Sequence, residues 1–359
     1  MSAIEIAVPL FERLPWPDAI SRAAVSFLVG RTRERLAQSP FDINRRFATE
    51  MPNYPIAVSV EEANAQHYEV PATFFDLVLG PQRKYSCCYY EDARTTLAQA
   101  EEAALARTAE NALLADGQAI LELGCGWGSL SLWMASHYPA ARITAVSNSQ
   151  SQREFIMQEA RARGLRNLDV VTADMNTFAP GQHFDRVVSV EMFEHMANWR
   201  MLLERVRSWL RPEGFLFFHV FTHRSSPYRF DRRDKEDWIA QHFFTGGIMP
   251  SQILIHEFSD LFAVEASWRW SGVHYARTAE DWLVKFDRNA DAVDAVLKQT
   301  YGADAALWRR RWRLFFLATA GLFGHANGSE WGVDHYRLKP HRVSSLQAKP
   351  SQEPMVLVA

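Results

Sequence analysis

The run Ile120-Leu121-Glu122-Leu123-Gly124-Cys125-Gly126-Trp127-Gly128 constrains this chain more than any other stretch. A short apolar segment of strand type ends in three glycines at alternate positions, and from Ser129 the residues Ser-Leu-Ser-Leu-Trp-Met-Ala read as a helix. A strand that turns into a helix through glycines leaves its backbone open to a ligand, because no Cβ stands in the way. The surrounding chain must then build a sheet with a crevice beyond its carboxyl ends.

Regular alternation from about residue 117 meets that demand. Strands are expected at 119–123, 142–147, 168–172, 185–190 and 215–221, with helices at 128–137, 149–163 and 198–210. Apolar strands separated by helices predict a parallel, doubly wound α/β sheet. Residues 223–260 break the alternation with Tyr228, Phe230, Trp238, Phe243 and Phe244, and read as a cap inserted over the substrate end of the sheet. A strand at 262–270, helices at 278–299 and 304–324, and a strand near 331–338 follow. The expected organisation is therefore a helical, substrate-covering region over 1–115 and a ligand-binding core over 116–222. The cap over 223–260, the rest of the core with helical additions over 261–339, and a loose tail over 340–359 complete it. Within the first region, a helix over 19–37 carries Arg31, Arg33 and Arg35 near its end, and Thr95 or Thr96 caps a second helix that starts at Leu97.

Composition removes several function classes. With 359 residues, 48% of them hydrophobic, the chain can build a large core. Its net charge is -3 and it has no long basic run, so nucleic acid is not an expected partner. Three cysteines without C-x-x-C spacing make neither a disulfide framework nor a zinc site, and the default setting is reduced and cytoplasmic. The first residues, Met-Ser-Ala-Ile-Glu-Ile-Ala, lack the basic start of a secretory signal. No apolar run approaches the roughly 18 residues of a membrane span, so no stable membrane insertion is expected.

The glycine spacing is G-x-G-x-G rather than G-x-G-x-x-G, and Glu122 stands two residues before the first glycine. This pattern resembles motif I of the S-adenosylmethionine-dependent methyltransferases. A dinucleotide site would place an acid about 20 residues further on, for the ribose. Here Val146-Ser147-Asn148-Ser149 holds none, which counts against NAD. Asn148 and Gln152 are instead the candidates for the ribose hydroxyls. Asp174, with Met175 beside it, is placed to reach the adenine amino group or to cap a helix.

Further motifs extend the likeness. Tyr85-Ser86-Cys87-Cys88-Tyr89, Glu191-Met192-Phe193-Glu194-His195-Met196, the stretch from Phe243 to Ser251, and His274-Tyr275-Ala276-Arg277-Thr278 resemble the cyclopropane-fatty-acid-synthase-like methyltransferases. Within that family they are most similar to the benzylisoquinoline alkaloid N-methyltransferase branch, that of coclaurine N-methyltransferase. The likeness runs from about residue 60 to 339. It implies a class I, Rossmann-like fold with an N-terminal helical extension and a substrate cap. It also implies S-adenosylmethionine as methyl donor, with S-adenosylhomocysteine as product. Tyr85, Ser86, Glu122, Gly124, Gly126, Gly128, Asn148, Gln152, Asp174 and Met175 are then the expected cofactor residues.

The two branches differ in how they remove a proton. The lipid branch uses bicarbonate as its base, and the positions matching that site are Cys87, Glu194, His219 and Tyr275. The lipid branch has a small residue where this chain has Glu191, whereas the amine branch has a carboxylate there. The amine branch's catalytic acid and histidine match Glu194 and His195. The expectation is thus N-methylation of a small hydrophobic, tetrahydroisoquinoline-like amine with a Glu/His pair as base. Bicarbonate-dependent methyl transfer to an unsaturated lipid is the alternative.

Amine chemistry suits these residue types. An alkyl amine with a pKa of about 10 is almost wholly ammonium at neutral pH, has no lone pair, and needs a base beside it. If a helical turn starts at Glu191, then Glu191, Glu194 and His195 share one face. The expected substrate side comprises Cys87, His219, Phe221, Trp238, Phe243 and Tyr275, of which Trp238, Phe243 and Tyr275, together with Tyr85, suggest an aromatic box. His219 and His223 are four apart but at a strand end without a third ligand, so no metal is expected. The expected partner is a small amine, with a homodimer allowed.

Overall fold

A computed structural model describes residues 11–58, 70–231 and 238–341. Of the tail expected over 340–359, Pro340 instead ends the last strand and the His341 amide donates to the Leu261 carbonyl, while the residues from 342 onward lie outside the described residues. Seven strands form one sheet: β1 (Ala119–Leu123), β2 (Arg142–Ser147), β3 (Leu168–Thr172), β4 (Phe184–Val190), β5 (Leu210–His223), β6 (Phe262–Ser271) and β7 (Trp331–Pro340). Their order is β3-β2-β1-β4-β5-β7-β6. The first five run parallel, and β7 lies antiparallel between β5 and β6. The α/β reading holds, with an antiparallel pair closing one edge.

Helices α1 (Asp18–Ala37), α2 (Ile43–Glu50), α3 (Ala72–Val78) and α4 (Leu97–Asn111) precede the sheet. Then come α5 (Ser129–His137), α6 (Gln150–Ala162), α7 (Trp199–Trp209), α8 (Trp238–His242), α9 (Gly272–Arg288), α10 (Ala290–Tyr301) and α11 (Ala305–Gly324). Strand alternation sets the two faces of the core. Leu121, Val187 and Phe218 pack with Trp199, Leu202 and Val206 of α7. Their strand neighbours Ile120, Val188 and Phe217 pack with Leu105, Leu130 and Ile156 on the opposite face. A third, aromatic cluster joins Phe74, Trp127, Phe243, Trp282, Trp312 and Phe315.

Two local expectations change. The single helix foreseen over 278–299 is two, broken at Asn289, and the first begins at Gly272, directly at the end of β6. Ser271 accepts from the Val273 amide and so caps it, which places His274 and Tyr275 on a helical turn. At α4 the cap is Thr96, in a reciprocal capping box with Gln99.

The strand order reverses beside β1: the chain runs out through β2 and β3 and returns as β4 on the other side. Leu123 of β1 is paired with Ser189 of β4. The glycine loop and the loop starting at Glu191 therefore leave the sheet side by side, at the place where open α/β sheets bind ligands.

Candidate active site

Gly124, Gly126 and Gly128 all have left-handed backbones, with φ of 78°, 51° and 82°. At Gly124 a Cβ would stand 2.5 Å from Met192 Cγ, so this glycine allows the two loops to meet. At Gly126 a Cβ would meet nothing within 4 Å. The requirement there is the backbone angle, which turns the loop beside open space.

A cavity at this point is lined by the glycine loop, the 83–86 segment, Glu191, His195 and a set of aromatic rings. Four of its lining groups are buried polar atoms without a partner among the described residues: Thr108 Oγ1, Trp127 Nε1, Ser129 Oγ and Gln152 Nε2. Buried polar groups are normally satisfied, so four orphans around one cavity mark a place for a polar ligand. Gln152 is held by Ser147, whose hydroxyl donates to Oε1 at 2.6 Å, while Nε2 has no partner among the described residues. Glu122 accepts from Ser131 at the cavity wall, and burial lifts its carboxyl to about 7. A ribose and an amino-acid tail offer the hydroxyls and charges that such a wall would bind.

The predicted helical face from Glu191 does not form. Glu191 has φ of 48°, an uncommon angle for a residue with a Cβ, and a 3-10 turn covers only Phe193–His195. The strain, of order 1–3 kcal/mol, is offset by what the carboxylate gains. Glu191 Oε1 accepts from the Cys87 amide at 2.8 Å and lies 3.0 Å from His219 Nε2. Its Oε2 accepts from the Tyr275 hydroxyl at 2.6 Å. Burial pushes this carboxyl up, while the Lys84 ammonium, the Tyr275 hydroxyl and the Cys87 amide pull it back, leaving it above the ordinary range.

Glu194 is fully buried and does not line the cavity. Its Oε1 accepts from the Phe221 amide at 2.7 Å, and its Oε2 has no partner among the described residues. Burial first, and Glu191 second, push its carboxyl well above the usual range. His195 lines the cavity and stacks on Phe244, with ring centroids 5.2 Å apart.

Of the other expected residues, Tyr85, Ser86, Phe221 and Tyr275 line the cavity. Gly128 packs against Ile156 of α6. Cys87 and His219 stand behind the wall as donors to Glu191. Asn148 does not line the cavity, and Met175 belongs to the core beside α7. Asp174 accepts from the Asn176 amide at 2.8 Å and closes a turn rather than starting a helix. Trp238 donates to Glu12 at 2.8 Å, and Phe243 stacks on Phe315 with centroids 4.4 Å apart. These two rings build the aromatic cluster that backs the site, while Phe244, one residue on, takes the lining position. His223 faces Glu330 at 3.7 Å, apart from His219's carboxylate.

Sequence reasoning missed Lys84, Thr108, Phe244 and Phe315. Lys84 is 2% exposed, donates to Ser86 Oγ and to the Cys87 carbonyl at 2.7 Å, and lines the cavity. Its loop is held by Glu101, which accepts from the Gln82 and Lys84 amides at 2.8 and 3.2 Å. Lys84's place directly before Tyr85 was the available signal.

Comparison with known proteins identifies the family. The family model described as mycolic acid cyclopropane synthetase matches residues 58–327. The chain belongs to this family. The methyltransferase is 38% identical over 289 residues to (S)-coclaurine N-methyltransferase of Thalictrum flavum subsp. glaucum, covering 79% of this chain and 80% of that one. It is 30% identical to the cyclopropane-fatty-acyl-phospholipid synthase of Escherichia coli (strain K12), over 62% of this chain and 55% of that one. Among solved structures it is similar to coclaurine N-methyltransferase bound to N-methylheliamine and SAH. There the TM-score is 0.87 and the identity 32%, over 94% of this chain and 97% of the other. The enzyme is an S-adenosylmethionine-dependent methyltransferase, and the orphaned polar wall fits that cofactor. No helix among the described residues is long and apolar enough to cross a membrane.

Proposed function

We propose that the enzyme methylates the nitrogen of a small hydrophobic amine of the tetrahydroisoquinoline type. One observation supports this reading above the others. The Glu191 carboxylate takes the donors of Cys87, His219 and Tyr275, three of the four positions that match the bicarbonate site of the lipid branch. A carboxylate fixed in the chain fills the role of a bound anion, and an anion facing the cavity attracts an ammonium. The relative bound to N-methylheliamine, itself a methylated amine, agrees with it.

The cofactor supplies an electrophilic methyl group on a sulfonium. The protein must align the amine with it, keep water out and remove one proton. Phe221, Phe244, Tyr275 and Phe315 form an aromatic wall for the amine's ring system. Glu191 holds negative charge at the cavity, with the Lys84 ammonium acting on it from nearby. His195 stands at the surface of the cavity, and Glu194, on the same turn, is a carboxyl raised by burial. A raised carboxyl is a stronger base once a cation nearby lowers the cost of ionising it. Glu194 and His195 are the proposed proton acceptors, and Glu191 the fixed charge that draws the substrate in. The deciding experiment is methyl transfer from labelled S-adenosylmethionine to tetrahydroisoquinolines, set against unsaturated phospholipid vesicles. Labelled lipid with unlabelled amine would discard the proposal.

A further inference from the structure

Behind Glu191 lies a second polar group that the reaction does not explain. His219 and His335 are directly opposed in the β5–β7 pairing, and both are fully buried. Their ring centroids are 4.6 Å apart at 35°. Trp270 covers both rings and Phe217 lies against His335, so the pair sits in an apolar setting. Each imidazole has one partnered nitrogen and one without a partner among the described residues: His219 Nδ1 and His335 Nε2.

The partners assign the protons. Asn111 Nδ2, at the end of α4, lies 3.3 Å from His335 Nδ1 and can only donate. His335 Nδ1 is therefore the acceptor, and in a neutral ring the proton sits on Nε2. On His219, Nε2 faces the Glu191 carboxylate, which accepts, so that nitrogen carries the proton and Nδ1 is bare. Two neutral imidazoles thus present an unmatched N–H on one ring and an unmatched acceptor on the other. The strand pairing holds the two rings against each other, which makes His335 the neighbour able to serve His219 Nδ1. Burial holds both rings well below the usual imidazole range, which keeps them neutral and their tautomers distinct.

We propose that Asn111, His335 and His219 form one directed chain of N–H donors ending on Glu191, with His335 as the positioning residue that donates to His219 Nδ1 and so strengthens the bond that His219 gives to Glu191. The chain starts at the half-buried end of α4, crosses β7 and β5, and delivers a hydrogen bond to the strained residue at the end of β4. Its effect is to hold Glu191 ionised against the burial that opposes it and against Glu194 beside it. Lys84, Cys87 and Tyr275 face the same carboxylate and act in the same direction. The functional consequence rests on the reading of Glu191 as the anion that draws in the amine. The tautomer itself does not.

The test uses full-length enzyme labelled with 15N-histidine, with His219 assigned by its loss in His219→Asn. Two-bond proton–nitrogen correlation should find His219 protonated on Nε2 and bare on Nδ1 in the parent. In His335→Phe the tautomer stays, held by Glu191, but the Nδ1 nitrogen should move to the shift of an imine nitrogen without a donor, and the acid limb of kcat/KM should move up by about one pH unit, since a carboxylate whose donor is weakened protonates more readily. His335→Gln, which keeps an amide N–H, should restore most of the profile. Asn111→Leu, near the surface, should shift it in the same direction by less. An unchanged His219 Nδ1 shift in both His335→Phe and Asn111→Leu would overturn the proposal. So would a uniform fall in rate with an unmoved acid limb. Binding of S-adenosylhomocysteine reports folding in each variant, and Glu191→Gln with full activity would remove the charge reading separately.

Discussion

Tyr275 Oη donates to Glu191 Oε2 at 2.6 Å across 84 residues of sequence, joining the first turn of α9 to the end of β4. This bond ties the C-terminal helices to the core at the candidate site. The part of the aromatic wall carried by α9 and α11, Tyr275 and Phe315, is thereby set relative to the carboxylate. Glu191 keeps its left-handed backbone because the amide, hydroxyl and imidazole reach it from three separate parts of the chain.

Replacing Glu191 by Gln should lower kcat/KM for the amine by about 10²-fold or more, because a neutral amide no longer attracts an ammonium. Calorimetric affinity for S-adenosylhomocysteine should stay within a few-fold. Parent-like turnover would remove Glu191 from the reaction.

Removing the side chain altogether offers a chemical rescue. Glu191→Ala frees the Cys87 amide, the Tyr275 hydroxyl and His219 to hold a free anion. Formate, acetate or bicarbonate at millimolar levels should then restore part of the lost rate. The parent should methylate amines equally well in carbonate-free buffer; dependence on added bicarbonate would instead favour the lipid reading.

Glu194→Gln and His195→Ala should each cost about 10²–10⁴-fold in kcat with cofactor binding intact. Groups that act as a unit are not additive. The double variant should therefore be little worse than the weaker single one. Full activity in both singles would discard the proposed base.

Glu122 gives a stability prediction with a defined sign. Its carboxyl rises from 4.5 to about 7 on folding, so between those values the native state binds more protons than the unfolded one. Stability from this group is present below about pH 4.5 and is lost as pH rises through about 7. Glu122→Gln has no such loss. The gap in urea-unfolding free energy between variant and parent should move in the variant's favour by up to roughly 3 kcal/mol from pH 5 to pH 8. A pH-independent difference would contradict the buried, protonated carboxyl.

The sheet and the glycine loop were legible in the linear chain, because their signals are local. Alternating apolar runs fixed β1 through β5 to within a few residues, and the G-x-G-x-G turn marked the crevice. The motif residues Tyr85, Ser86, Glu191 and His195 were legible as well, and all four line one cavity. Periodicity could not foresee that Glu191 would leave the helical region. That backbone angle is bearable only because Cys87, His219 and Tyr275, far apart in sequence, converge on one carboxylate. Nor could it separate Phe243 from Phe244, since adjacent aromatics differ only in which side of the fold they face. Sequence decided what local chemistry can decide: strands, turns, caps and the kind of ligand. Tertiary packing decided which charges are buried together, because desolvation and hydrogen bonding depend on neighbours that the order of residues does not reveal.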